Sequence, residues 1–203
     1  MYALYLITES SAPERIPEVV ASALRGAPPD SVLVQLRAKG CAPRQLYDIA
    51  LALREVCTAQ RAGLVINDRA DLAQAVAADG VQLPEGALPA HVVRPLLGEH
   101  ALIGVSCHDA SGLATAAASG ASFATLSPVF ASPGKGKPLG LPQFSALARG
   151  APLPVYALGG VDSARARALK AAGAAGLAVI SSVFRSPDPA AAVSDLLSAW
   201  HTS

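Results

Sequence analysis

Within VQLRAKG, Gln35, Arg37 and Lys39 recur at every second position. Along a β-strand that spacing puts all three side chains on one side, while Val34, Leu36 and Ala38 take the other. An amide, a guanidinium and an ammonium turned into a sheet interior lose hydration unless an anion meets them. The set therefore reads as a binding strand tip for an anionic ligand, with a structural pair to Asp68 or Glu85 as the bland alternative. In GVSCHDA, Ser106 and His108 share a side and Cys107 faces away, which argues against a cysteine–histidine nucleophile pair. His108 sits where a strand should end, and imidazole is the group suited to carry protons near neutral pH. His91, His100 and His201 fall in expected helix or loop. Two backbone signals complete the set: Gly159-Gly160 and Ile180-Ser181-Ser182, each closing an apolar run. Glycines admit close approach of a ligand, and free N–H groups at a helix start bind phosphate.

These residues need a scaffold that gathers strand ends. The stretch 63–86 reads as strand, helix and strand, with Asn67-Asp68-Arg69 and Pro84-Glu85-Gly86 at the two tips. That is a βαβ unit, hence a parallel sheet. Eight such β-type runs recur, at 2–7, 31–37, 63–66, 80–83, 102–106, 123–126, 155–158 and 176–180. Helical patterns at 43–59, 69–77, 110–118, 142–149, 163–172 and 189–200 accompany them. The strands are continuously apolar, as expected when both faces are covered. Eight β/α units with no long polar linker predict one TIM (β/α)8 barrel domain over 1–203, and no GxGxxG follows the first strand to favour an open dinucleotide-binding sheet. In such a barrel the loops after strands seven and eight bind phosphate. The glycine- and proline-rich segment 130–141, FASPGKGKPLGL, then follows strand six on the catalytic face, where long loops serve as lids.

Composition narrows the partners. Charged residues make up 15% and net charge is +1 with no basic run, so no nucleic-acid footprint is expected. No apolar stretch approaches the ~20 residues of a membrane span. Three cysteines without metal spacing (Cys41, Cys57, Cys107) suit a reducing cytoplasm. A homodimer is left open.

Many ordered motifs resemble the thiamine phosphate synthase/TenI superfamily. They are YLIT at 5–8, QLRAK at 35–39, INDRADLA at 66–73, ADGVQL at 78–83 and GVSCH at 104–108, followed by SPVF at 127–130, ALGGV at 157–161 and GLAVISSVF at 176–184. The resemblance implies a TIM barrel of thiamine biosynthesis that takes a phosphorylated thiazole. It implies substrate contacts from Gln35, Lys39, Asn67, Gln82, Ser106, Ser127 and Lys135, and phosphate contacts from Gly159, Gly160, Ile180 and Ser181. The superfamily holds two activities. The synthase couples a pyrimidine diphosphate to the thiazole phosphate with Mg²⁺, and its fourth strand runs DGVHLGQxD. Here DGVQLPEGA puts Ala87 at the metal-binding aspartate, and Ser132-Pro133-Gly134-Lys135 replaces TxTK, losing a hydroxyl. Those departures favour the TenI branch, a thiazole tautomerase that needs no metal or other cofactor, with His108 as proton carrier and Arg37 steadying charge on the substrate. Synthase activity is the alternative, supported by Gln35, Lys39 and Asn67-Asp68, and a non-catalytic regulatory protein that binds thiazole or thiamine phosphates is a third reading.

Overall fold

Residues 2–180 alternate apolar strands with amphipathic helices, and the computed structural model, which describes residues 1–9 and 11–202, closes them into a barrel. The order is β1 (Leu4–Ile7), α1 (Ile16–Leu24), β2 (Val32–Leu36), α2 (Pro43–Ala59), β3 (Gly63–Asn67), α3 (Ala70–Ala75), β4 (Gly80–Leu83) and α4 (Ala90–Leu97). It continues with β5 (Leu102–Cys107), α5 (Ala110–Ala118), β6 (Phe123–Leu126), α6 (Gly140–Gly150), β7 (Val155–Leu158), α7 (Ser163–Ala171) and β8 (Gly176–Val179). Two helices finish the chain, the single turn α8 (Ser181–Phe184) and α9 (Pro189–His201). Each strand pairs in parallel with its sequence neighbours, and β8 returns to β1 through Leu4↔Leu177 and Leu6↔Val179. This is the TIM barrel that the strand count predicts.

Two apolar layers hold it. Outward-facing Leu4, Leu6, Val34, Leu36, Leu64 and Ile66 pack under the helices against Val20, Leu53, Phe144 and Leu169. Inward-facing Tyr5, Leu33, Val65, Phe123, Tyr156 and Ala178 fill the barrel. Tyr5, Phe123 and Tyr156 meet edge to face at 5.3–5.7 Å, the arrangement that ring quadrupoles prefer. Two of the rings have room because the strand beside each carries glycine in the paired register, Gly104 next to Phe123 and Gly176 next to Tyr156. A methyl at Gly104 would collide with Phe123 and one at Gly176 with Tyr156. Asp109, Asp162 and Asp188 cap α5, α7 and α9 by accepting from first-turn N–H groups.

Several element ends differ from the sequence expectation. The first strand starts at Leu4 and the second ends at Leu36, leaving Arg37 and Lys39 beyond the ladder rather than within it. Helix α3 stops at Ala75, and Ala77 takes a left-handed φ of 49°. Strand β5 runs one residue further, through Cys107, because Cys107 still pairs with Leu126. Helix α6 begins earlier, at Gly140.

Candidate active site

The C-terminal ends of the eight strands form the mouth of the barrel, and the candidate residues lie there on separate elements. Thr8, fully buried after β1, ties down the chain at Arg37: its hydroxyl donates to the Arg37 carbonyl at 3.0 Å and accepts from the Arg37 N–H at 2.8 Å. Arg37 is half-buried and Lys39 exposed just past β2. Asn67 closes β3, and Asp68 follows it in a left-handed turn at φ 61°, its N–H bonded to the Gln82 carbonyl at 2.8 Å.

Below the mouth lies a buried polar layer. Gln35 on β2 donates to the Tyr5 hydroxyl at 2.6 Å, and Tyr5 donates to Gln82 Oε1 on β4 at 2.9 Å. Gln82 in turn donates to Ser106 Oγ on β5 at 3.2 Å. Burial pushes the Tyr5 phenol far above its ordinary range, while the hydrogen bond from Gln35 opposes that rise. Tyr5 is therefore a neutral hydroxyl at any working pH. Gln35 and Gln82, expected to contact the substrate, are both only 2% exposed and bond within this layer.

At the β4 and β5 tips, His108 Nδ1 lies 2.7 Å from Glu85 Oε2, both side chains being half exposed. Glu85 Oε1 rests against Gly112 in the first turn of α5, where a side chain at 112 would meet it at 2.7 Å and where a helix favours negative charge. Cys107 points the other way, as its alternation requires, and is buried under the helices. Burial, with the Glu85 and Asp109 charges adding to it, pushes its thiol up to about 11, so it is no nucleophile.

The opposite side of the mouth is built from main chain. Gly159 and Gly160 end β7 with φ of 101° and 63°. A Cβ at Gly160 would stand 2.8 Å from Phe130 Cβ and 2.9 Å from the Ala131 carbonyl, so glycine is required for space as well as for φ. The Gly160 carbonyl accepts from Arg165, whose guanidinium stacks over Phe130 at 4.7 Å. Ile180 caps α8, and Ser181 and Ser182 open it, so their N–H groups have no acceptor within the helix. Ser182 Oγ is buried without a hydrogen-bond partner, the one such side-chain atom among the described residues. Ser127, buried at the end of β6, donates its N–H to the Cys107 carbonyl at 3.2 Å. From there the loop to α6 leaves through a neck closed by Leu139 N–H to Pro128 and Gly140 N–H to Val129, both at 2.9 Å. Its tip, with Lys135, is exposed.

Comparison with known proteins decides among barrels that share this layout. The profile of the family described as thiamine monophosphate synthase matches residues 4–183. The chain belongs to the TMP-TENI family. A relative from Geobacter sulfurreducens named "Putative thiamine-phosphate synthase" is 44% identical, aligned over 93% of this chain and 89% of its own. The "Thiamine-phosphate synthase" of Roseiflexus castenholzii is 37% identical over 93% of this chain and 84% of its own. Among solved structures, a thiamine phosphate pyrophosphorylase from Pyrococcus furiosus superposes with a TM-score of 0.87 at 30% identity, covering 97% of this chain and 94% of that one.

Membership of the TMP-TENI family places the chain in thiamine biosynthesis as an enzyme. The relatives' names weigh toward the transferase, the alternative of the sequence analysis, more than toward the isomerase favoured there. Ala87, partly buried, packs against an apolar cluster of Val81, Leu83, Ala90, Val93 and Ile103, and its methyl offers no donor to a metal ion. Among the described residues no three of His, Cys, Asp and Glu converge as a metal cage. Also among them, no helix is long and apolar enough to cross a membrane. Sequence reasoning missed what three side chains do. Glu85 reads from the sequence only as a partner for the β2 cations, yet it engages His108. In the sequence Tyr5 is part of a strand motif, and nothing local marks its hydroxyl as the centre of a network across four strands. Ser182 is legible in the sequence only as part of a main-chain signal, and only burial marks its hydroxyl.

Proposed function

We propose that this enzyme holds a thiazole phosphate at the β7–β8 side of its mouth and joins it to a pyrimidine diphosphate, forming thiamine phosphate. The reading is carried by relatives named for this reaction that align over 93% of the chain. In the reaction a thiazole ring nitrogen forms a C–N bond as the C–O bond to diphosphate breaks, and the electron pair leaves with diphosphate. A departing polyanion needs fixed positive charge. Arg37 and Lys39 beyond β2 and Lys135 on the β6–α6 loop supply it. The thiazole phosphate would take the Ser181 and Ser182 N–H groups and the unpartnered Ser182 hydroxyl, a hydroxyl that costs about 1–3 kcal/mol while unpaired.

Mg²⁺, which the family resemblance implies, uses one or two carboxylates when substrate phosphates complete its shell. Asp68 fits that requirement with Asn67 beside it, and Ala87 does not. Bound there, the ion would neutralise charge on the leaving diphosphate.

A second reading, thiazole tautomerisation, is favoured by the 2.7 Å contact between His108 and Glu85. A carboxylate on Nδ1 orients the ring and leaves Nε2 to take a proton from the ring carbon and return one to the exocyclic carbon.

One set of incubations separates the readings. The protein is given thiazole phosphate, pyrimidine diphosphate and Mg²⁺ and, separately, the non-aromatic thiazole carboxylate phosphate with EDTA, products being followed by NMR. Thiamine phosphate in the first sample is the expected result. EDTA-resistant isomerisation alone would replace the synthase by the tautomerase, and binding without turnover would make the chain a sensor.

A further inference from the structure

We propose that Tyr5 and Gln82 are positioning residues that direct the Ser106 hydroxyl hydrogen into the mouth, making the floor of the site a hydrogen-bond donor. The inference rests on the reading of the mouth as the substrate site and adds which atom types its floor selects. The chain of bonds starts at Gln35 Nε2, which donates to the Tyr5 hydroxyl at 2.6 Å. A phenol has one hydrogen, and here it goes to Gln82 Oε1 at 2.9 Å. With its oxygen engaged, the Gln82 amide offers nitrogen to Ser106, donating to Oγ at 3.2 Å. Ser106 accepts from below, so its own hydrogen is free for a partner above. Gln35, Tyr5 and Gln82 are at most 2% exposed, whereas Ser106 is half-buried at the upper end of the series. The order is enforced from both sides. Tyr5 cannot swing away, being wedged edge to face between Phe123 and Tyr156. Gln82 Oε1 sits over Gly104, where any side chain would displace it. A donor-tipped floor selects a ligand with an acceptor atom at that point, such as an unprotonated ring nitrogen or a carboxylate oxygen, and disfavours one presenting N–H.

The test is a double-mutant cycle with kcat, KM and the calorimetric dissociation constant for thiazole phosphate as readouts. Tyr5→Phe alone should lower kcat/KM about tenfold, and less than twofold on top of Ser106→Ala, because both act through one hydroxyl. Ser106→Thr, which keeps the hydroxyl, should restore the dependence on Tyr5. Gln82→Met leaves the aromatic triad untouched and should repeat the pattern, so it carries the cycle if Tyr5→Phe does not fold. Losses that simply multiply would overturn the proposal and leave Tyr5 a packing residue. If the wild type neither turns over nor binds thiazole phosphate, the functional reading is what fails. The relay is then read from the ¹⁵N–¹H signals of the Gln82 side chain. Tyr5→Phe and Ser106→Ala must each shift them, and an unmoved signal in either variant sinks the relay.

Discussion

Ser182 illustrates how a single atom carries functional information. A buried hydroxyl without a partner is a cost to the folded state, tolerated where a ligand completes it. Ser182→Ala should therefore leave the melting temperature unchanged or raised while weakening thiazole phosphate binding about tenfold, ~1.4 kcal/mol. A lowered melting temperature with intact affinity would make Ser182 structural. His108 separates the two activities at the same scale. If the enzyme is a synthase, His108→Asn should reduce thiamine phosphate formation by less than tenfold. If it is a tautomerase, the same change should cost isomerisation roughly 10²-fold or more, as expected for loss of a general acid–base group. In either case Glu85→Gln should keep the ring in place through the remaining hydrogen bond, so its effect should be milder than that of His108→Asn. The position of His108 at a strand tip was legible from GVSCHDA, because alternation alone puts Cys107 on the other side. Its partner was not legible, since residues 85 and 108 meet only through the β4–β5 pairing.

Among the elements, the β6–α6 loop and the β7 turn form one unit. Val129 and Phe130 donate to the Leu158 and Gly159 carbonyls at 2.9 and 3.0 Å, and Arg165 spans the Gly160 carbonyl and the Phe130 ring. Gly160→Ala meets both a left-handed φ of 63° and the Phe130 Cβ at 2.8 Å. It should destabilise the protein by about 1–3 kcal/mol, and should raise KM for the thiazole phosphate. A denaturation midpoint equal to that of wild type would show that the turn relaxes freely. Lys135 lies beyond the closed neck of the same loop, where no packing depends on it. Lys135→Ala should leave stability alone and lower thiamine phosphate formation about tenfold or more, with pyrimidine diphosphate as the substrate affected. The sequence marked this loop by its glycines and prolines. It did not show the neck, which exists only because residues 128–129 and 139–140 are brought side by side.

At the scale of the whole molecule, packing between barrel wall and helices buries two of the three cysteines. Cys57 and Cys107 are fully buried, and burial pushes their thiols up to about 12 and about 11. Cys41 is only partly covered. Thiol reagents attack the thiolate, and a raised pKa keeps a thiol protonated above the ordinary range. At pH 8 the native protein should expose one rapidly reacting thiol to a disulfide reagent, and all three after denaturation. Fast labelling of two or three in the native state would mean that the wall opens readily.

The sequence by itself determined the barrel, because continuous apolar strands, helical spacing and Gly-Gly or Ser-Ser strand ends are local properties, and its ordered motifs carried the resemblance to the family. It placed Gln35, Ser106, His108 and Gly159-Gly160 on strand ends for the same reason. Only closure of the sheet decided what those residues meet. Tyr5 and Gln82 are 77 residues apart along the chain and 2.9 Å apart across the barrel. Hydrogen bonds across an enclosed interior depend on strand stagger, ring packing and absent side chains at Gly104 and Gly176, none of which a one-dimensional pattern carries.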